Sequence, residues 1–375
     1  MNILVIPTTD WIRHPVPNRL NFIFDSLSDR HNIFVLHFSL KNFRENAPRS
    51  TRCRLVRSGP VECRDPSLYY LLNAPFHLVT LKKLVKREKI DVILSANILP
   101  SFIANGTGVP IVFDYLDHLE ESASVYYPDS FIGSCIQRAV RVVTRFNLRH
   151  ATRVITVTTE LKEYLEEAAV ENISVIPNGV DTSLVRPIPK TEAKRSLGLD
   201  GKTVIGYVGS LEYWVDLETA VQALPELPGM ILLVIGPGLF TDYGTCISRL
   251  AEESGVKDRV IFTGAIPYEE INRYISAMDV GLNPLKKMKK NEYAAGGKVF
   301  NYLSCGRPVL SSRMVSLVRL LGDDLYYYDD VPTFIAQVKE ILSRPQQEEQ
   351  YRGIALRFDW KNLAKTYESV LEEAA

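Results

Sequence analysis

Short β-branched runs that alternate with longer helical patterns constrain the fold of this 375-residue chain most strongly. Candidate strands start with Ile3–Ile6 and Ile33–His37 and recur as far as Val309–Ser311, with candidate helices such as Phe76–Glu88 between them. The strand runs are continuously apolar rather than alternating, which is typical of strands that are covered on both faces. This order predicts an α/β fold built from parallel sheets with right-handed crossovers.

The pattern restarts near the middle of the chain. A turn-rich segment runs from Ile176-Pro177-Asn178-Gly179 to about Asp200, and a fresh strand pattern starts at Val204. A chain of this length has room for two domains of roughly 100–200 residues each. We therefore expect two Rossmann-like domains facing across a cleft, with ligands at the carboxyl ends of their strands.

Composition excludes several classes of function. The chain has 44 basic and 44 acidic residues, so no overall positive field points to nucleic acid. No run approaches the ~20 apolar residues of a membrane-spanning helix, so any membrane contact is expected to be peripheral. The five cysteines form no CxxC pair, which favours a reduced, cytoplasmic chain without a zinc site. They are Cys53, Cys63, Cys135, Cys246 and Cys305.

The segment AAGGKVFNYLSCGRPVL places bare backbone and a cation where a short helix begins. Gly296 and Gly297 allow backbone N–H groups to approach a ligand, and Lys298 adds an ammonium beside the positive end of the helix. Such a combination suits a phosphate or a pyrophosphate. Asn301 follows one turn later on the same helical face. The alternative is a glycine-rich turn that binds nothing.

Six segments in order resemble the glycosyltransferases of family 4. They are ISVIPNGVD (173–181), IGYVGSLEYW (205–214), ILLVIGPG (231–238), RVIFTGAIPYEEINRYISAMDVGLNPL (259–285), GGKVFNYLSCGRPVL (296–310) and FDWKNLAKTYESVL (358–371). The resemblance implies a GT-B fold, in which the last helix crosses back onto the first domain. The expected domains are 1–180, completed by 358–375, and 181–357.

The resemblance also implies an activity. Family members transfer a sugar from a nucleotide diphosphate donor, usually with retained anomeric configuration and without a metal. We therefore expect transfer of a hexose from a UDP- or GDP-sugar to a saccharide or lipid-linked acceptor during cell-surface glycan assembly. No cofactor other than this donor and no metal site are expected, and Asp323-Asp324 and Asp329-Asp330 are interpreted as solvated turns. The glycine pair and Lys298 would stabilise the departing diphosphate.

This sequence departs from the family pattern at the donor site. Asn301 stands where relatives have a ribose-binding glutamate, and an amide can still bond to hydroxyl groups. Ser210 replaces a phosphate-clamping arginine, and Trp214-Val215-Asp216 resembles the W-x-D subgroup of cell-surface polysaccharide transferases. The lysines of the loop before the glycines either replace the missing cations or form a solvated loop. They are Lys286, Lys287, Lys289 and Lys290.

The resemblance, taken position by position, gives a set of expected site residues. The expected donor contacts are Gly209, Ser210, Ile266, Pro267, Glu292, Gly296, Gly297, Lys298, Val299 and Asn301. The expected catalytic residues are Lys298, Asp117 as a base for the acceptor hydroxyl and His118 near the leaving phosphate. Thr8, Thr9 and Asp10 are expected to border the acceptor. A structural role is an equally open interpretation of that loop, and a solvent-facing loop is the alternative for Asp117-His118.

Two basic helical stretches raise the question of membrane contact. Arginines recur from Arg138 to Arg153 and lysines from Lys82 to Lys89, each beside apolar residues. Such helices either lie on anionic membrane surfaces or are ordinary solvated faces. The N-terminal domain would then dock at the inner face of the membrane. The alternative function is a catalytically impaired protein that binds a glycan or another transferase.

Overall fold

All pairings between strands in the described residues are parallel. The computed structural model describes residues 1–64, 66–117, 131–239, 241–345 and 347–375. These residues divide into a first unit, Met1–Pro177 with Trp360–Ala375, and a second unit, Asn178–Asp359. The divisions fall at 177/178 and 359/360, against 180/181 and 357/358 predicted from the sequence.

The first unit contains a seven-stranded sheet in the order β3-β2-β1-β4-β5-β6-β7. Its strands are β1 Asn2–Ile6, β2 Asn32–His37, β3 Arg54–Arg57, β4 Val92–Ser95, β5 Ile111–Tyr115, β6 Arg153–Thr156 and β7 Ile173–Val175. Its helices are α1 Arg19–Leu27, α2 Pro66–Glu88, α3 Ile98–Ala104, α4 Phe131–His150, α5 Thr159–Glu167 and, from the end of the chain, α14 Trp360–Ala374.

Helices cover both faces of this sheet. Leu20, Phe24 and Leu371 belong to a core formed by α1, α14 and the sheet. Leu81 and Leu84 of α2 belong to a second core on the sheet. The continuously apolar strands seen in the sequence follow from this double coverage.

The second unit contains a six-stranded sheet in the order β10-β9-β8-β11-β12-β13. Its strands are β8 Thr203–Val208, β9 Met230–Ile235, β10 Val260–Gly264, β11 Val280–Asn283, β12 Val309–Ser312 and β13 Tyr326–Tyr328. Its helices are α6 Lys190–Ser196, α7 Leu217–Ala223, α8 Tyr243–Glu253, α9 Ile271–Ser276, α10 Lys298–Ser304, α11 Val315–Leu321, α12 Val331–Ser343 and α13 Glu348–Arg357.

The strand order of the second unit reverses direction between β8 and β11. The chain builds outwards through β9 and β10 on one side and through β12 and β13 on the other. In parallel α/β sheets, ligands bind outside the carboxyl ends of the two strands at such a reversal. The glycine-lysine segment and α10 follow β11 after a loop that contains the 3₁₀ turn Lys289–Asn291, so the fold brings them to this point.

Local structure differs from the sequence expectation in two places. The sequence predicts a helix from Phe76, whereas α2 begins at Pro66 and continues through Pro75. Proline is well tolerated in the first turn of a helix, and Pro75 lies on the exposed side of α2. The sequence also predicts one continuous helix over residues 268–277, whereas the structure has a 3₁₀ turn, Tyr268–Glu270, followed by the short α9.

Among the described residues, no helix is both long enough and apolar enough to cross a lipid bilayer.

Candidate active site

The helix α10 leaves one narrow face uncovered. Its buried residues are Val299, Phe300, Tyr302, Leu303 and Ser304. Lys298 and Asn301 remain partly exposed. Residues three apart lie on the same side of a helix, so Lys298 and Asn301 share the uncovered face.

Tyr302 fixes α10 above the strand reversal. Its hydroxyl accepts a hydrogen bond from the Val208 amide at 2.8 Å and donates to the Leu282 carbonyl at 3.0 Å. A Cβ atom on Gly281 would lie 2.5 Å from the tyrosine ring, so the ring packs directly on the backbone of β11. The first turn of α10 is therefore held at the carboxyl ends of β8 and β11.

Lys298 is a cation without a carboxylate partner among the described residues. Its ammonium lies 5.0 Å from the centroid of the Tyr207 ring, which attracts a cation electrostatically. The surrounding protein desolvates the ammonium and lowers the pKa of Lys298 to about 8. Although part of the residue is exposed, the charged end lies against protein. A site of this kind favours an anion that restores the missing negative charge.

The backbone beside Lys298 is formed by glycines, which have no side chain. Gly209 has φ +147° and Gly236 has φ +126°, conformations that residues with a Cβ rarely adopt. A Cβ on Gly236 would lie 2.2 Å from the Gly209 carbonyl oxygen, and one on Gly209 would lie 3.2 Å from Cε of Lys298. The loop from Gly209 to Ser210 is also held by Tyr207, whose hydroxyl donates to the Ser210 carbonyl at 2.7 Å.

Side chains from distant parts of the second unit hold the segment that leads into α10. Asn178 donates to the Ala295 carbonyl at 2.8 Å, and Ser316 donates to the Ala294 carbonyl at 2.7 Å. A Cβ on Gly296 would lie 2.5 Å from Oδ1 of Asn283, so any larger residue here would displace the buried Asn283 side chain. The segment is therefore positioned before any ligand binds.

Gly297 is different from Gly296. Its φ of −58° is ordinary helical backbone, and a Cβ there would meet nothing nearer than the Asn178 side chain at 3.9 Å. Neither conformation nor packing within the described residues requires a glycine at this position. What the missing side chain provides is an open approach to the first amides of α10.

Two of the loop lysines are engaged with acids of their own unit. Lys286 pairs with Glu218 at 2.7 Å and lies 5.0 Å from the Tyr243 ring centroid, and Lys287 pairs with Asp329 at 2.8 Å. Lys289 is exposed, and nothing is described of the Lys290 side chain. The suggestion that these lysines replace the missing clamp is therefore not supported for Lys286 or Lys287.

The Trp214-Val215-Asp216 segment supports this loop. Asn291 donates to the Trp214 carbonyl at 2.9 Å and to the Lys286 carbonyl at 2.8 Å. Asp216 accepts from the Thr219 hydroxyl at 2.8 Å and caps α7, while burial raises the pKa of its carboxyl group. The W-x-D segment thus has a structural function in this chain.

The acidic pairs that were interpreted as solvated turns have specific partners. Asp324 pairs with Arg357 at 2.9 Å, and Asp329 pairs with both Lys287 and Arg313. Asp330 caps α12 through Thr333. Hydrogen bonds and ion pairs lower the pKa of the Asp329 carboxyl group, with the Lys287 bond the largest cause.

The remaining predicted donor residues lie at the surface of the second unit. Ile266 is partly buried and Pro267 is exposed in the loop after β10, and Glu292 is exposed after a 3₁₀ turn. Val299 lies on the buried side of α10, and its backbone N–H donates to the Gly296 carbonyl at 3.1 Å, so the expected contact of Val299 with the donor is not supported.

The structure gives Asp10 of the first unit a structural role. The carboxylate is 1% exposed and accepts the backbone N–H groups of Ile12 at 3.1 Å and Arg13 at 2.9 Å. Thr8 and Thr9 are partly buried beside it. Asp117 is partly buried just after β5, and His118 lies outside the described residues.

Sequence reasoning missed the residues that position the site. Tyr207 of β8 and Asn283 of β11 contact the glycine-lysine segment, and Tyr302 anchors α10 itself to Val208. Tyr302 lies within the family-like segment, one residue after Asn301, but an i+1 spacing places it on the buried side of α10. The signal that could have identified Tyr302 is its position on the buried side of α10, and not the motif itself.

Two family models together match both halves of the chain. The model of Glycosyltransferase Family 4 matches residues 25–184, and the model of Glycosyl transferases group 1 matches residues 202–344. The match therefore extends well beyond the segments that surround α10.

Curated proteins with similar sequences carry the same type of name. The chain is 30% identical over 237 residues to 2-deoxystreptamine glucosyltransferase of Streptomyces kanamyceticus, which covers 59% of each chain. It is 26% identical over 238 residues to the putative teichuronic acid biosynthesis glycosyltransferase TuaH of Bacillus subtilis, which covers 60% of this chain and 58% of that one. The chain thus spans little more than half the length of these curated relatives.

Solved structures show the same fold over the whole chain. Sucrose-phosphate synthase from Thermosynechococcus elongatus has a TM-score of 0.80 at 19% identity, covering 99% of this chain and 98% of that one. Anabaena HepE in complex with UDP-glucose has a TM-score of 0.75 at 18% identity, covering 100% of both chains. Since both halves match in order, the protein belongs to the family 4 glycosyltransferases, and its two parallel-sheet units form the GT-B fold.

Proposed function

We propose that the protein is a retaining, metal-independent glycosyltransferase. It moves a hexose from a UDP- or GDP-sugar to a saccharide or lipid-linked acceptor in cell-surface glycan assembly. The observation that carries this proposal is the ammonium of Lys298, which is desolvated and lacks a carboxylate partner among the described residues. Lys298 itself lies on the uncovered face of α10, with its side chain beside the backbone of Gly209.

The chemistry required of this site is stabilisation of a leaving diphosphate. Negative charge develops on the bridging oxygen as the bond to the sugar breaks, and fixed positive groups lower the energy of that transition state. With a pKa of about 8, Lys298 is mostly protonated at pH 7. The free amides at Gly297 and Lys298 add hydrogen-bond donors at the start of α10. Preorganisation of the segment keeps these donors in place.

The other donor contacts follow from the same face. The Asn301 carboxamide, one turn from Lys298, would bond to the ribose hydroxyls as donor or acceptor. Ile266 and Pro267 would border the nucleobase, Ser210 the phosphates, and Glu292 the sugar. These roles rest on family resemblance and on the surface position of each residue.

Metal independence rests on what the acids of the second unit do. The carboxylates of Asp324, Asp329 and Asp330 are used in ion pairs or as a helix cap. Lys298 supplies the positive charge for the diphosphate instead. Rate acceleration would come from positioning and leaving-group electrostatics, without a covalent intermediate on the protein.

The acceptor would bind to the first unit, near Thr8 and Thr9. Asp117 would accept the proton of the acceptor hydroxyl, with His118 beside it. Burial and saturation with backbone N–H groups make Asp10 a support for this loop and not a contact. We place the reaction in the cytoplasm, at the inner membrane face when the acceptor is lipid-linked.

Proteins similar to this chain support both donor classes. The HepE structures contain UDP and UDP-glucose. A Mycolicibacterium smegmatis relative, 30% identical over 154 residues, is named as a GDP-mannose-dependent mannosyltransferase. UDP- and GDP-sugars are therefore the first donors to test.

A second candidate function is a catalytically impaired protein that binds a glycan or another transferase. Asn301 in place of a glutamate and Ser210 in place of an arginine favour it, because both changes remove a charge-assisted contact. The experiment that separates the two is incubation of the purified full chain with radiolabelled UDP- and GDP-sugars. Transfer, hydrolysis or a donor-dependent rise in Tm supports the enzyme. No response to any donor supports the partner.

A further inference from the structure

The outward face of α2 is apolar over its first turns and basic over its last turns. Five large apolar side chains on this face are between 47% and 61% exposed: Leu68, Leu71, Leu72, Phe76 and Val79. The next exposed positions of the same helix are Lys82, Lys83, Lys86 and Arg87. From Pro66 to Arg87 the helix contains no acidic residue.

The opposite face of α2 accounts for its attachment to the first unit. Tyr70 is fully buried and donates to the Pro7 carbonyl at 2.8 Å, while Leu81 and Leu84 pack into the sheet core. The outward apolar residues therefore add nothing to the core of this unit. Single exposed leucines are common, but a contiguous apolar stripe marks an interaction surface.

The two neighbouring helices, α3 and α4, also expose apolar side chains, and α4 exposes basic ones. α3 packs against both α2 and α4 and exposes Phe102, which is 45% exposed. On α4, Phe131 is 85% and Val142 is 68% exposed. This helix has no acidic residue, and its exposed charges are Arg138, Arg145 and Arg149.

We propose that this surface, formed by the exposed residues of α2, α3 and α4, docks onto an anionic lipid bilayer. The apolar turns of α2 insert among the acyl chains, and the basic turns of α2 and α4 contact the lipid phosphates. Where the acceptor is lipid-linked, this docking deepens the proposed function by naming its membrane contact. Binding to a bilayer does not itself require transfer.

Charge and shape favour a bilayer over other partners. A second copy of this chain would bring two basic surfaces together, because Glu88, paired with Arg87, is the one acid in α2 or α4. A nucleic acid would attract the arginines and lysines but leaves the apolar turns uncovered. An anionic membrane offers both an apolar interior and a negative surface. Since the apolar half of α2 precedes the basic half along the axis, the N-terminal half is expected to insert more deeply.

The test is cosedimentation of the full chain with phosphatidylcholine vesicles, with and without phosphatidylglycerol. The variant L71S/L72S/F76S is expected to lower the partition coefficient on anionic vesicles by at least about tenfold, because three inserted side chains are lost. Leu356→Ser is the matched control, since Leu356 on α13 is 47% exposed, as is Leu72. It is expected to bind vesicles as the unmodified protein does.

Charge reversal separates the two contributions. The variant K82E/K86E is expected to weaken binding about tenfold at low salt and much less at high salt, where phosphate attraction is screened. Equal binding of the unmodified protein and L71S/L72S/F76S would overturn the proposal, as would equal binding to neutral and anionic vesicles. Sedimentation velocity tests the alternative of a contact between two copies of the chain. If the unmodified protein is a dimer that does not bind vesicles, and L71S/L72S/F76S dissociates that dimer, the membrane proposal is overturned. A UDP-induced rise in Tm is read separately, so failure of docking and failure of the donor site are distinguishable.

Discussion

Arg19 in the first unit and Lys298 in the second are both basic side chains surrounded by protein, yet their surroundings differ. Arg19 lies 3.9 Å from the Asp114 carboxylate, donates to the Ile176 carbonyl at 2.9 Å and contacts the Tyr367 ring. Lys298 lies over an aromatic ring and has no carboxylate partner in the described residues. The Arg19 charge is met inside the protein and supports the fold. The charge of Lys298 is left for a ligand.

Removal of Asp114 should have the largest effect on stability. Asp114 is fully buried beside Arg19 and accepts from the Tyr367 hydroxyl at 2.9 Å. Asp114→Ala leaves the arginine charge buried without its partner, which typically costs about 3–5 kcal/mol. Urea unfolding monitored by circular dichroism measures this loss.

The matched variant is Tyr367→Phe, which removes one hydrogen bond and is expected to cost about 1–1.5 kcal/mol. UDP affinity should be unchanged in both folded variants. A large loss of UDP affinity without a loss of stability would reverse the assignment of this cluster to the fold.

His77 extends the comparison of Arg19 with Lys298, because it is a third basic side chain that is desolvated and it is fully buried. It is 0% exposed, and neither ring nitrogen has a hydrogen-bond partner among the described residues. Burial lowers its pKa to about 4 from 6.5. The unfolded chain therefore takes up the proton first, and stability falls as pH drops from about 6.5 to about 4, by about 3 kcal/mol.

The measurement is urea unfolding across that pH range for the unmodified protein and His77→Leu. His14 and His37, whose pKa values burial also lowers, contribute in the same direction in both proteins. The difference between the two curves isolates His77. Parallel curves would show that His77 is not buried in its neutral form.

Lys298→Met should lower donor affinity and leave the fold intact. A charged hydrogen bond to the diphosphate is worth about 1.5–3 kcal/mol, so the Kd for UDP should rise at least about tenfold. Stability should not fall, because Lys298 has no ion pair in the described part of the chain that could be lost. Isothermal titration calorimetry with UDP and GDP gives the affinities.

Lys286→Met is the control for this substitution. It removes a lysine of the same unit whose partner is Glu218 at 2.7 Å, and it should leave the Kd for UDP nearly unchanged. Equal losses in the two variants would mean that general positive charge, and not Lys298, holds the donor.

Gly297→Ala should give the smallest effect on the fold. The backbone is ordinary helical and the space is open, so stability should stay level or rise by about 0.4–1 kcal/mol. A weaker affinity for UDP is expected because the new methyl group blocks the approach to the amides. Gly296→Ala is the contrast, since its Cβ would meet Asn283 and lower stability. Unchanged UDP affinity in Gly297→Ala would remove the backbone amides from the site.

Much of the fold was predictable because it depends on local pattern. Continuous apolar strands and helical periods predicted parallel sheets, and the restart before Val204 predicted a second unit. The start of α2 at Pro66 was not predictable, since Pro75 lies inside the helix and an internal proline normally ends or kinks a helix. The burial of Asp10 depends on the chain turning back to offer the amides of Ile12 and Arg13.

The candidate site likewise has features that could be predicted from the sequence and features that could not. The shared face of Lys298 and Asn301 follows from their spacing of three residues. The contact of Lys298 with Tyr207, and the pairing of Lys286 with Glu218, join residues 91 and 68 positions apart along the chain (298 − 207 and 286 − 218). Only the folded chain shows that Lys286 is paired with a carboxylate and that Lys298 has no carboxylate partner among the described residues.

The pKa of the Lys298 ammonium, measured by NMR of the isotope-labelled side chain with and without UDP, tests the central claim most directly. The account predicts a value of about 8 in the free protein and a clear rise when UDP is bound, because the diphosphate stabilises the charged form. The affinity for UDP should then weaken as pH rises through about 8. A pKa that does not change when UDP binds would contradict the assignment of Lys298 to the diphosphate.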